Sequence, residues 1–207
     1  MPENLHKLFV ISSPSGGGKT SLINKLFEDS RSANFEKSIS DTSRQKRQGD
    51  LEGKDYYFLS EKDFKDKIKK EEYVEYATVF GNFYGTSKEE IKTKYNNSNL
   101  ILELDWQGAY AVKELFDDAK LIFLLPPSLD DLKQRLIKRN LDSSKEIESR
   151  LSEAKKEISK SEMYDYLVLN DDFDKAFEDL SQILFEGISP IDFNSRASKD
   201  LIKRLVE

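Results

Sequence analysis

The stretch SSPSGGGKTS, Ser12 to Ser21, decides the fold. The apolar run KLFVIS (Lys7 to Ser12) leads into it, and LINKLF (Leu22 to Phe27) leaves it with helical spacing. A strand, a glycine loop and a helix in that order are the setting in which G-x-x-x-x-G-K-[ST] cradles phosphate. Gly18, Lys19 and Thr20 match the end of that pattern, and Ser13 stands where its first glycine belongs. Gly16, Gly17 and Gly18 can turn backbone N–H groups inward with no side chain in the way. The helix start adds partial positive charge. Lys19 can reach β- and γ-phosphates, and the Thr20 hydroxyl can take a Mg²⁺ position. A surface loop with an incidental lysine is the alternative; a strand before it and a helix after it argue against that.

Three further apolar runs follow: NLILEL (Asn99 to Leu104), KLIFLL (Lys120 to Leu125) and DYLVLN (Asp165 to Asn170). Each is dense in Leu, Ile or Val and ends at a turn signal, as strands buried on both faces of a parallel sheet do. Helices are predicted between them. Ser60-x-x-Asp63, Ser87-x-x-Glu90, Ser128-x-x-Asp131 and Ser143-x-x-Glu146 have the form of capping boxes. Another helix is predicted over about Asp174 to Glu186, and the tail from Ser189 to Glu207 reads as an amphipathic helix. The alternation implies an α/β fold of three layers around a parallel central sheet. Two stretches break the rhythm: about Phe35 to Asn96, rich in Tyr, Phe and Gly, and about Leu129 to Met163, helical and highly charged. Both read as insertions on the carboxyl edge of the sheet, where such folds bind ligands.

The bulk numbers narrow the class. The chain has 207 residues, with 37% hydrophobic and 35% charged, a globular composition. Net charge is −6 and the pI about 5.1, which argues against a nucleic-acid partner. Cysteine is absent, so disulfides and thiolate chemistry are excluded; one histidine, His6, speaks against a zinc site. No run approaches the ~18 apolar residues of a membrane helix. The start MPENLHKLFV lacks the shape of a signal peptide, and a cytoplasmic setting is expected.

A nucleotide-binding loop serves switches and transferases alike. DWQG (Asp105 to Gly108) has the D-x-x-G form of a GTPase switch, but no N-K-x-D base-reading motif occurs, and Asn24-Lys25-Leu26-Phe27 lacks its aspartate. Asp105 ends a predicted buried strand, where it can hold a Mg²⁺-bound water, cap the next helix, or both. If the acceptor is itself a phosphate, two polyanions must approach. Each like-charged pair near 4 Å costs about 4 kcal/mol at an effective dielectric near 20. Arginines outside the loop are then required. Arg44 and Arg47 form one group, and Arg135, Arg139 and Arg150 another, with Arg135 and Arg139 on one helix face. Taken singly, each reads more readily as a surface charge; Asp130, Asp131 and Glu146 lie near the second group in sequence.

The ordered series SSPSGGGKTS, SISDTSRQKRQG, KDYYF, EYATVFGNFYGTS, LELDWQG, LPPS, RLIKR, SRL and LNDDFD resembles the guanylate kinases over about Leu5 to Glu186. The resemblance implies transfer of the γ-phosphoryl of Mg·ATP to GMP. It implies a core of residues 1–34, 97–128 and 164–207, a small GMP-binding insertion with a mixed sheet at 35–96, and a helical lid at 129–163. It assigns Ser15 to Ser21 to the ATP phosphates, with Asn170 near that nucleotide. Arg44, Arg47, Tyr56 and Tyr84 would hold the GMP phosphate, and Ser40, Glu75 and Thr86 would read guanine. Glu103 and Asp105 occupy the acidic positions near GMP and Mg²⁺, Glu103 where the family usually has aspartate. Arg135, Arg139 and Arg150 would close over the transferring group. Lys46, Gln48 and Asn140 stand where the family usually has turn-forming residues.

The chemistry of Glu75 agrees with its assignment. Strict alternation in EYVEYATVF puts it on one face with Tyr73, Ala77 and Val79. An ionised carboxylate only accepts hydrogen bonds, which suits the adjacent N1–H and 2-amino donors of guanine and repels the N1 lone pair of adenine. A nearby lysine or tyrosine could satisfy it instead. Two other classes compete with the enzyme: a catalytically silent interaction module of similar fold, and a kinase for another nucleotide. The intact Gly18-Lys19-Thr20 argues against the first, and Glu75 with Ser40 and Thr86 against the second. Oligomeric state is not legible in the sequence.

Overall fold

The structure, a computed structural model, describes residues 6–47, 49–79, 81–139, 144–192 and 195–207. A five-stranded sheet has the order β2-β7-β1-β8-β9, and a separate four-stranded sheet the order β4-β3-β6-β5. In the first, β1 (Leu8–Ser12), β7 (Asn99–Glu103), β8 (Lys120–Leu125) and β9 (Tyr166–Leu169) are the four runs expected as buried strands. Every residue of β1 is buried, as two-sided packing demands. β8 and β9 run parallel, as do β7 and β2 (Phe35–Lys37). β2 is a difference from expectation: these three residues open the stretch assigned to an insertion, yet they pair along β7. A three-residue strand with one apolar residue leaves no period to detect.

The chain divides into two compact units. The first comprises residues 1–9, 34–102 and 107–119. It contains the four-stranded sheet, in which β3 (Asp41–Thr42) pairs parallel with β4 (Tyr57–Phe58) and antiparallel with β6 (Asn82–Ser87), and β5 (Tyr73–Val79) pairs antiparallel with β6. Helix α2 (Glu61–Lys69) starts where Ser60 predicts it, the Ser60 hydroxyl accepting from the Asp63 N–H at 3.1 Å. Its Phe64, fully buried, stacks on Tyr73 at 4.5 Å and Phe83 at 5.3 Å between ring centroids. Buried Asp41 is held by Lys67 and by the Tyr73 hydroxyl, so one carboxylate ties α2 to the sheet. Helix α3 (Lys88–Tyr95) is capped by Ser87, as expected. Glu90 does not complete a reciprocal box; its carboxylate accepts from the Ile39 N–H at 2.8 Å and pairs with Lys94. Most of α4 (Trp106–Leu115) also belongs to this unit.

The second unit comprises residues 10–33, 103–106 and 120–207. It carries α1 (Lys19–Glu28), α5 (Leu129–Arg139), α6 (Ser144–Ser159) and α7 (Phe173–Ser181). Ser128 caps α5, its hydroxyl accepting from the Asp131 N–H at 2.9 Å. Ser143, the fourth predicted cap, lies outside the described residues, as do Gln48 and Asn140. α7 runs on through a π-helical turn at Gln182–Glu186 and stops at Gly187, whose φ of 72° suits glycine. The final helix, α8 (Arg196–Val206), begins later than the tail pattern suggested. Pro190 keeps Ser189 out of helical geometry, and Ser195 caps the helix that follows. α8 packs along α6, and the Lys155 ammonium donates to the Glu207 carbonyl at 2.8 Å. Among the described residues no helix is long and apolar enough to cross a membrane.

Candidate active site

The glycine loop of the second unit has the conformation its composition requires. Gly16 and Gly18 sit at φ 89° and 93°, and Gly18 is the residue before α1. The Gly17 N–H donates to the Pro14 carbonyl at 2.8 Å, closing the turn. The Asn170 amide, buried at the end of β9, donates to the Gly17 carbonyl at 2.7 Å. A Cβ on Gly18 would lie 2.3 Å from that amide nitrogen. Gly18→Ala therefore meets both a left-handed backbone and a pinned neighbour, at a cost of about 1–3 kcal/mol. The expected result is a melting point lower by several degrees and ATP affinity, measured by calorimetry, down by about tenfold or more.

Chemistry-bearing side chains gather on this loop. The Lys19 ammonium donates to the Leu104 carbonyl at 3.2 Å, and the Thr20 hydroxyl donates to Glu103 Oε1 at 2.6 Å. Asp105 follows directly in the chain, so two carboxylates stand at the end of β7. Arg150 on α6 donates to the Ser15 hydroxyl at 2.8 Å, and Arg135 on α5 donates to the Asn170 carbonyl at 2.9 Å. Arg139 closes α5, but its side chain lies outside the described residues. A cavity of about 410 Å³ opens beside the loop, lined by Gly16, Ser21, Arg135, Lys138, Asp171 and Phe173 among others.

One acidic group here was absent from the sequence-based set. Burial pushes the Glu157 carboxyl up to about 7; Lys19 opposes that rise, and Asp105 and Glu153 add to it.

The first unit holds the other candidate residues in two clusters. Glu75 on β5 lies opposite fully buried Thr86 on β6, and the Thr86 hydroxyl is 3.3 Å from that of Ser40. A bulge between Tyr73 and Glu75 interrupts the strict alternation expected there, so period two alone does not set the face of Glu75. In the second cluster Arg44 pairs with Asp50 at 2.9 Å and lies over the rings of Tyr56 and Phe58, 5.4 and 5.6 Å from their centroids. Tyr56 meets Tyr84 edge to face at 5.7 Å. Burial works against the Arg44 charge, yet its pKa rises, because Asp50 hydrogen-bonds to it. Asp50 is itself held below the usual carboxylate range by the Arg47 N–H and by Arg44. The Arg47 side chain is exposed, and its backbone N–H donates to Asp50 at 2.7 Å.

The family model described as guanylate kinase matches residues 5–187. The chain belongs to the guanylate kinase family. A guanylate kinase of Wolbachia sp. subsp. Brugia malayi (strain TRS) is 47% identical over 184 residues, 88% of this chain and 93% of that one. One from Hahella chejuensis is 48% identical over 178 residues, 86% of this chain and 85% of the other. The crystal structure of guanylate kinase from Anaplasma phagocytophilum superposes with a TM-score of 0.71 at 32% identity, covering 99% of this chain and 98% of that one. Guanylate kinases are nucleoside monophosphate kinases, which phosphorylate GMP to GDP at the expense of ATP.

The oxygen groups after β7 and on α1 are of the kind that could hold a nucleotide-bound cation. Among the described residues no three His, Cys, Asp or Glu side chains form a metal cage by themselves. Mg²⁺ is commonly held by one or two protein oxygens, with water and phosphate completing its shell. The Thr20 hydroxyl with the Glu103 and Asp105 carboxylates is such a hard, all-oxygen set. Four residues beside these groups were given no role in the sequence reading: Asp50 next to Arg44, Asp171 and Phe173 in the cavity lining, and Glu157. Asp171 and Phe173 follow β9 at the strand-end position where such sheets bind ligands, which was signal enough to find them.

Proposed function

We propose that this chain transfers the γ-phosphoryl group of Mg·ATP to GMP in guanine nucleotide metabolism in the cytoplasm, with no nucleic-acid or membrane partner. The supporting observation is the loop in which Gly16 and Gly18 take left-handed backbone beside Lys19 and Thr20 while Arg150 reaches Ser15. ATP phosphates lie along Ser15 to Ser21, and the nucleoside part occupies the adjoining cavity near Arg135 and Asn170. Thr20, and Asp105 through water, would hold Mg²⁺, which would supply positive charge to offset that of the phosphate oxygens. Residues 35–96 act as the GMP-binding domain and 129–163 as the lid.

GMP takes its phosphate to Arg44, Arg47, Tyr56 and Tyr84, and its base to Ser40, Glu75 and Thr86. Glu103 and Asp105 provide the acidic positions near GMP and the cation. Transfer passes through a loose transition state, so alignment and charge neutralisation supply the catalysis. Lys19 and Arg44 hold donor and acceptor phosphates, and Arg135, Arg139 and Arg150 offset the charge on the transferring group. No general base is required, since a GMP phosphate oxygen is already anionic. Lid closure excludes water and suppresses ATP hydrolysis.

The test is ADP release with ATP and Mg²⁺, comparing GMP, AMP, UMP and CMP. GMP alone should sustain fast turnover; equal rates with AMP would reject the guanine reading. Arg44 bears on the acceptor directly. On GMP binding it exchanges Asp50 for phosphate, and Asp50 keeps its fork preorganised until then. Arg44→Ala should raise the KM for GMP about 10–100-fold, the worth of a charge-assisted hydrogen bond, with a smaller change in kcat. An unchanged KM would remove Arg44 from the phosphate site.

A further inference from the structure

Helix α6 brings two charged residues to one face. Glu157 lies seven residues beyond Arg150, two helical turns, with buried Ala154 between them. Arg150 grips the front of the glycine loop at Ser15. At the other end of that face the Glu157 carboxyl is turned inward. Its Oε2 is fully buried and accepts no hydrogen bond from a described residue, and Ile158 beside it is wholly buried. The cation acting on it most strongly is Lys19, and the anion is Asp105.

A carboxyl kept in such a place costs stability. An uncharged side chain of the same shape would be as stable or more so. Each unsatisfied buried polar group calls for an explanation, and function is the usual one. Lys19 supplies the explanation here. Its ammonium sits on four flexible carbons and donates to the neutral Leu104 carbonyl. A fixed negative charge on the facing helix narrows the directions the ammonium can take before phosphate arrives.

We infer that Glu157 is a positioning residue for Lys19, aiming its ammonium at the ATP phosphates from across the glycine loop. The inference rests on the role of Lys19 given under Proposed function. Since α6 also carries Arg150, one helix sets two of the cations that meet the triphosphate.

The experiment is a double-mutant cycle with Glu157→Gln and Lys19→Met, using kcat, the KM values for ATP and GMP, and thermal melting. It is run at about pH 8, where a carboxyl titrating near 7 is mostly ionised. Glu157→Gln should lower kcat about tenfold and leave the KM for GMP within about twofold. Its melting point should equal or exceed that of the wild type, because a buried charge has gone. In the Lys19→Met background the same change should have no further effect. A kcat within about twofold of wild type, an equal loss in both backgrounds, or a lower melting point would each overturn the assignment. Wild-type turnover by Lys19→Met alone would instead overturn the role of Lys19. The two failures are therefore distinguishable.

Discussion

Lys19→Met is expected to lower kcat by about 10²–10³-fold, the usual effect of removing one preorganised donor from developing charge. The ammonium is the first side-chain group of α1, and it donates to a neutral carbonyl, Leu104 O, at 3.2 Å. A phosphate oxygen is a far stronger partner for it, so the exchange on ATP binding is downhill. Methionine keeps the length and the apolar stem and removes only the charge. The fold should not suffer, because the loop is held by Gly17 N–H to Pro14 and by Asn170 to Gly17. Stopped kinetics with unchanged melting would show this. A kcat within about tenfold of wild type would mean that glycine amides and arginines alone neutralise the triphosphate.

Glu75→Gln carries the second large effect, on the acceptor. Glutamine preserves size but offers an NH₂ where guanine presents its own donors, so two donors face each other. The kcat/KM for GMP should fall about 10²-fold, which is about 2.7 kcal/mol of lost transition-state stabilisation. ATP affinity should remain within about twofold, since Glu75 belongs to the unit that lacks the glycine loop. The contact between Ser40 and Thr86, which is fully buried opposite Glu75, does not involve the substituted side chain. Equal losses for GMP turnover and ATP binding would show that Glu75 supports the fold rather than reading the base.

Much of this was legible in the chain. The strands β1, β7, β8 and β9 are short apolar runs ending at turns, and burial on both faces permits little else. The capping serines at 60, 87 and 128 marked helix starts because a hydroxyl before a helix has one evident partner. What escaped notice lacked a period. β2 is three residues long, and the bulge at Tyr73 and Glu75 inserts one residue into an otherwise regular alternation. Asp50 pairs with Arg44 inside a loop, where spacing says nothing of who meets whom. Glu157 lay hidden in SEAKKEIS, which looks like a solvated charge run; only its seven-residue step from Arg150 placed it on the loop-facing side.

The most direct trial is a crystal structure with GMP, Mg²⁺ and a non-hydrolysable ATP analogue. The GMP phosphate should lie within hydrogen-bonding reach of the Arg44 guanidinium and the Tyr56 and Tyr84 hydroxyls, with the Lys19 ammonium on the β- and γ-phosphates. A GMP phosphate bound away from Arg44, or a triphosphate that leaves Lys19 on the Leu104 carbonyl, would contradict the account.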